Sequence, residues 1–310
     1  MLRNSLERNT AAGLGAILLW SATFAFARSL TEQVGPLTAG AAVYLIGGVF
    51  FLLRLAISPR RIRRTAALPR RYLFGCGGLF VGYTAALYLV VGLAQNREQL
   101  LEIALVNYLW PTLTVLGSLP LLKKRASFWL GPGTALALTG VFLVMTPEDG
   151  VSWRTFAQHA QSNPAAYALA LAAAVAWALY SNLARRWSAP GTGGAVDLFI
   201  PASGLALLAL RLILPEPTLW TVRAGIEAVA LAVITTVAYL LWDLAMRRGN
   251  ILLVAACSYF TPLLSTLVSC LYLRVLPGNT LWMGCGLLVA GSLVTWRSVS
   301  DPPSGREPQT

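Results

Sequence analysis

Two prolines 151 residues apart, Pro111 and Pro262, each fall near the middle of a long apolar stretch. Proline has no N–H, so the carbonyl four residues earlier loses its helical partner. Those carbonyls belong to Asn107 and Ser258. Broken helices at corresponding positions of two halves of a chain mark a binding region near the centre of a membrane protein. Aromatic residues gather at the same level. Trp20 and Phe24 stand one helical turn apart, Tyr83 and Tyr88 share one stretch, Tyr108 and Trp110 precede the first proline, and Tyr239 and Trp242 share a face. Trp177, Tyr180 and Ser181 share another. A pocket lined by such rings suits a ligand with a flat or bulky apolar part, each ring adding a large contact area and a polar handle.

Ionisable groups within these stretches are few. Glu102 lies about a turn from one end of its stretch, and Asp243 about a turn from Arg247 and Arg248. The structural expectation is a carboxylate near the interface paired with a nearby arginine; the functional one is proton coupling or gating. No H-E-x-x-H pattern occurs, and the glycine-rich run Tyr72–Gly78 has no Lys or Ser/Thr in P-loop order. His159 is the only histidine, so no histidine cluster forms a metal site, and Cys76, Cys257, Cys270 and Cys285 make no C-x-x-C pair. These features predict neither an enzyme nor a metal or other cofactor.

The elements that must position these residues are ten apolar stretches, at 9–28, 36–57, 72–95, 98–122, 127–146, 165–184, 195–214, 226–246, 250–273 and 279–297. A membrane-crossing helix needs ~20 mostly apolar residues, and in lipid each backbone polar group must find its partner inside the protein. The chain is 56% hydrophobic and 12% charged, with a mean hydropathy of +0.65. This composition predicts an all-α polytopic membrane protein with ten transmembrane helices and leaves no room for a separate nucleotide-binding domain. Ala25-Phe26-Ala27 superficially fits a signal-peptide cleavage site, but the long apolar run and a matching stretch in the second half favour a retained helix.

The formal charge of +12 follows alternate loops. With the N-terminus placed inside, 18 of the 24 Lys and Arg lie on the inner side and 6 on the outer. The positive-inside rule then places both termini in the cytoplasm. A nucleic-acid surface would gather its basic residues on one face, so nucleic acid is excluded as a partner. The expected partners are the bilayer and a small molecule, with the chain a monomer.

The chain also repeats itself. Under a shift of 151 residues, 17 of 53 positions between 88 and 140 are identical, including Tyr88/Tyr239, Tyr108/Tyr259, Pro111/Pro262, Gly133/Gly284 and Gly140/Gly291. Five helices per half is an odd number, so the second half must enter the membrane from the opposite side. The predicted organisation is a five-helix repeat at 1–146, an outer linker at 147–164, an inverted repeat at 165–297 and a cytoplasmic tail at 298–310. Inverted repeats are a common plan of secondary transporters, with two similar conformations related by exchange of the halves.

The segments LLWSATFAFARSL (18–30), AWALYSNLAR (176–185) and YLLWDLAMRRGN (239–250), with glycines seven apart at 133–140 and 284–291, resemble the EamA-type branch of the drug/metabolite transporter superfamily. Within it, ALVNYLWPTLT (104–114) resembles the aromatic amino-acid exporters of bacterial inner membranes. The resemblance implies export of aromatic and other apolar amino acids by alternating access through a central apolar cavity, with Trp110, Trp177 and Tyr83 foremost among its lining residues. The alternative is another small organic solute, such as a cationic drug, a polyamine or a nucleotide sugar.

Overall fold

A computed structural model describes residues 2–145, 153–188, 194–273 and 279–300. Nearly all of them are helical. The helices are α1 (Leu2–Val34), α2 (Pro36–Ala56), α3 (Pro59–Ala66), α4 (Gly77–Leu93), α5 (Arg97–Asn107), α6 (Trp110–Leu122), α7 (Leu130–Met145), α8 (Trp153–Ser162), α9 (Pro164–Trp187), α10 (Val196–Ile213), α11 (Val222–Arg248), α12 (Ile251–Cys257), α13 (Phe260–Leu273) and α14 (Asn279–Arg297). A π-helical turn over Arg71–Cys76 leads into α4. Each predicted apolar stretch is occupied by helix. Of the predicted linker, 147–152 lie outside the described residues, as do Arg274 and the tail beyond 300.

Six helical segments among the described residues are long and apolar enough to cross a membrane: Pro36–Ala56, Arg71–Leu93, Glu98–Leu122, Pro164–Trp187, Val196–Ile213 and Val222–Arg248. Leu6–Thr23 and Phe26–Val34 form a bent pair, angled by 47°, that adds a seventh. The chain is thus an all-α polytopic membrane protein. Its outward faces carry the apolar side chains lipid requires, such as Leu53, Phe74, Leu212, Val222 and Ile226, all more than 60% exposed.

The most extensive contacts join helices of the first half to helices of the second: α1 with α11, α2 with α10, α4 with α9, and α7 with α14. Small residues allow the closest of these approaches. A Cβ on Gly140 would stand 2.8 Å from the Gly284 carbonyl oxygen, and one on Gly291 2.8 Å from that of Gly133. The matched glycines therefore face each other across α7 and α14, where only a hydrogen fits.

Capping fixes where several helices begin. Asn96, Asn163, Thr221 and Asn250 each accept a hydrogen bond from a backbone N–H in the first turn of α5, α9, α11 and α12. At the other end of α11, Arg185 of α9 donates to the carbonyls of Ala245, Met246 and Gly249, placing a cation at a helix C-terminus. A two-residue antiparallel ladder, Arg125–Ala126 against Val299–Ser300, ties the loop before α7 to the end of α14.

Candidate functional site

Both proline-marked stretches break where the sequence predicts. Tyr108 and Leu109 separate α5 from α6, with Pro111 second in α6; Ser258 and Tyr259 separate α12 from α13, with Pro262 third in α13. The two breaks meet, because the hydroxyls of Thr112 and Tyr259 hydrogen-bond. One expectation changes here. The Ser258 carbonyl is not free: it accepts from the Thr261 N–H at 3.1 Å, a tighter turn that re-satisfies the group the proline deprives. The Ser258 hydroxyl likewise turns back to the Val254 carbonyl at 2.8 Å, and that of Ser181 to Trp177 at 2.9 Å. Both serines serve their own helices.

Around the breaks the rings converge on Trp177 of α9. Its ring centroid lies 4.6 Å from Tyr83, 5.1 Å from Tyr180, 5.7 Å from Tyr239, 5.8 Å from Trp242, 5.9 Å from Trp20 and 6.4 Å from Trp110. Trp242 also meets Trp20 at 5.1 Å and Trp110 at 5.3 Å. These residues come from α1, α4, α6, α9 and α11, so one ring assembly joins both halves of the chain. Tyr88 stands one step out, edge-on to Tyr44. Tyr108 belongs instead to a separate cluster with Tyr259 and Leu263. The side chain of Phe24 lies outside the described residues.

The middle of the ring assembly is closed in this arrangement: Trp177 is 1% exposed and Trp242 fully buried, while Trp20 is half-buried. Ring–ring contacts fill this middle, edge-to-face for Trp177 with Trp20 and Tyr239 and stacked for Trp177 with Trp242. Apolar grooves lie elsewhere, on outward faces of the bundle: one between α6 and α9, at Leu113, Gly117 and Val175, and one along α11 at Val222 and Ile226.

Three fully buried polar atoms near the breaks have no partner among the described residues: the Asn107 amide oxygen, the Trp242 indole nitrogen and the Thr261 hydroxyl. Asn107 is the last residue of α5, and Thr261 follows Phe260 at the start of α13. A buried, unpaired group costs about 1–3 kcal/mol, so each is a site where a ligand with complementary donors and acceptors would gain.

The two carboxylates are placed differently. Asp243 pairs with Arg247 through both guanidinium contacts, at 2.9 and 2.7 Å, with side chains only 3% and 7% exposed. Tyr72 and Tyr180 add hydroxyl donors to its other oxygen at 3.2 and 3.3 Å. Here the arginine pairing expected from sequence holds. For Glu102 the described residues show a different partner. Glu102 is fully buried and faces His159, whose Nδ1 is 3.1 Å from both carboxylate oxygens, while the Tyr167 hydroxyl donates to Oε2. His159 sits on a helix, α8, where the sequence suggests only a polar linker.

Sequence reasoning overlooks several members of the assembly. Phe80 packs 4.8 Å from Tyr239 and 5.4 Å from Tyr180, and the hydroxyls of Tyr44 and Tyr239 share a hydrogen bond of 2.6 Å. Single aromatics in apolar runs carry no pattern that would single them out. Tyr259 was within reach of the 151-residue shift from Tyr108.

Comparison with known proteins agrees with this architecture. The chain is 31% identical over 291 residues to the aromatic amino acid exporter YddG of Escherichia coli (strain K12), covering 94% of this chain and 97% of that one. It is 32% identical over 290 residues to the aromatic amino acid exporter YddG of Ancylobacter novellus, covering 92% and 96%. A solved crystal structure superposes with a TM-score of 0.76 at 29% identity, covering 94% of this chain and 98% of the other. The sequence profile of the EamA-like transporter family matches twice, over residues 10–146 and 164–297. With its length matched almost end to end by these two copies, this chain belongs to the EamA-like transporter family.

Proposed function

We propose that this chain is a secondary transporter that exports aromatic and other apolar amino acids by alternating access. In this reading ten helices cross the bacterial inner membrane as two five-helix repeats, 1–146 and 165–297, set in opposed orientations with both termini cytoplasmic. The chain works as a monomer. The cross-half helix pairs support the inverted arrangement. Exchanging the halves turns the α1–α11 contact into the α9–α4 contact and returns α2–α10 and α7–α14 to themselves, as a two-fold axis in the membrane plane requires.

The observation that carries the substrate reading is the ring assembly at the level of the two helix breaks, with three unpartnered polar atoms beside it. An aromatic amino acid combines a ring with a zwitterion. Its ring would replace one of the ring–ring contacts. Its carboxylate accepts from the Trp242 indole N–H and the Thr261 hydroxyl, and its ammonium donates to the Asn107 oxygen. A cationic drug or polyamine would need a free intramembrane carboxylate, whereas Asp243, Glu102 and Glu227 are each already engaged.

The test is transport by the purified protein in liposomes, following labelled tryptophan, phenylalanine and a polyamine. Movement of both amino acids and not of the polyamine is the expected result. Movement of the cation alone overturns the reading.

A further inference from the structure

We propose that Glu102 and His159 hold one proton between them, that this proton latches the end of the bundle opposite the arginine-rich loops, and that its release lets that end open. The latch joins three parts of the chain. Glu102 lies on α5 of the first matched segment, His159 on α8 in the linker, and Tyr167 on α9 of the second. His159 is the only histidine in the sequence, and its Nδ1 lies 3.1 Å from each oxygen of a carboxylate that is fully buried. A polar clasp surrounds the pair. Asn163, between α8 and α9, donates to the Leu93 carbonyl at 2.9 Å and to Gln99 Oε1 at 3.1 Å, and Gln99 Oε1 also accepts from the Gln95 N–H at 2.8 Å. The Phe156 ring packs edge-on against Tyr167 at 5.4 Å.

The charge balance gives the direction. A carboxylate removed from water needs a compensating cation or a proton. Tyr167 offers a neutral hydroxyl. The charged residues on the surrounding elements are Arg97 and Glu98 at the start of α5, Arg154 in the first turn of α8 and, at the end of α9 away from Tyr167, Arg185 and Arg186; α7, which also packs on α5, has no titratable side chain. With its proton, the His159 imidazolium neutralises Glu102 across the contact. Without it, a net negative charge is trapped at a buried site. The latched state therefore binds more protons than a state in which both groups face water, and by linkage rising pH favours opening. Histidine is the side chain whose ordinary titration range makes such a switch work near neutrality.

The test reads the latch directly, with no substrate present, so it stands apart from the choice of transported solute. Spin labels go on Gln161, exposed on α8, and on Leu219, 68% exposed between α10 and α11. The full chain is placed in nanodiscs of phosphatidylethanolamine and phosphatidylglycerol, and the distance distribution is measured from about pH 6 to about pH 9, across the range where histidine titrates. We expect a single short distance on the acid side and a second, longer one that gains population as pH rises. H159K, charged throughout this range, holds the short distance at every pH, and E102Q removes the pH response. A wild-type distribution unchanged across the range overturns the proposal, as does an H159K response like that of wild type. Y167F keeps the Glu102–His159 pair, so it retains the pH response even where a variant of the pair fails to fold.

Discussion

Thr112 and Tyr259 share a hydroxyl–hydroxyl hydrogen bond, and through it the two helix breaks of this protein touch. Thr112 directly follows Pro111, and Tyr259 stands three residues before Pro262. The bond thus crosses from one family-matched half of the chain to the other at the point where both helices break. Removing one partner leaves the other buried and unsatisfied, a cost of about 1–3 kcal/mol. We expect T112V and Y259F each to lower the thermal unfolding midpoint of the purified protein. In the double variant the loss falls short of the sum, as for groups in direct contact. Strictly additive losses would show that the hydroxyls do not act as a pair.

The glycine interface gives a sharper contrast. A Cβ on Gly291 would stand 2.2 Å from the Ala137 backbone nitrogen, and one on Gly140 2.6 Å from that of Leu288. Backbone atoms within a helix have no easy way to move aside. Gly286 lies on the same helix as Gly291, and a Cβ there meets nothing within 4 Å. G291A and G140A are expected to abolish a monodisperse peak on size exclusion. G286A should leave the peak intact and stabilise slightly, by about 0.5–1 kcal/mol from the lost backbone freedom of glycine. Equal behaviour of G291A and G286A would remove close helix approach as the reason for these glycines.

Asp243 and Arg247 form a buried ion pair, and a buried pair is most sensitive to losing one member. D243N leaves the guanidinium without its counter-charge, at a cost of about 3–5 kcal/mol. Replacing both, as in D243L with R247M, removes both charges and is expected to recover most of that loss. Thermal unfolding of the three variants checks the order. A double variant less stable than D243N would mean that the carboxylate's role is to order Tyr72 and Tyr180, which also donate to it.

The breaks at Pro111 and Pro262 were legible in the sequence because the missing N–H of proline acts within one turn of the helix. The convergence of Trp110, Trp177 and Trp242 was legible for a similar reason, since helical spacing and depth within an apolar stretch follow from sequence position. The partner of Glu102 was not. His159 lies 57 residues away, on a ten-residue helix whose few apolar positions, Trp153, Phe156, Ala157 and Ala160, are too short a run to stand out from a polar linker. Ser258 misled because its expected role rested on a carbonyl that a single tighter turn re-satisfies. The closed centre also escaped the sequence reading. The rings that would line a cavity attract one another as readily as they attract a ligand, so their identities alone are silent on which contact is made.

Trp110 separates ring binding from packing. Its ring meets Trp242 at 5.3 Å and Trp177 at 6.4 Å, both nearly perpendicular, and it opens α6 directly after the first helix break. An edge-to-face pair contributes about 0.5–1.5 kcal/mol beyond the area it buries, so losing one such contact with a bound ring weakens apparent affinity by about tenfold at most. We expect W110A to raise the half-saturating tryptophan concentration in liposome transport by several-fold while keeping a monodisperse size-exclusion profile. W110F retains an aromatic edge and should stay close to wild type. For a substrate without a ring, such as leucine, the two variants should differ less than they do for tryptophan. Wild-type tryptophan transport by a well-folded W110A would assign this residue to the packing of α6 and remove it from the binding site.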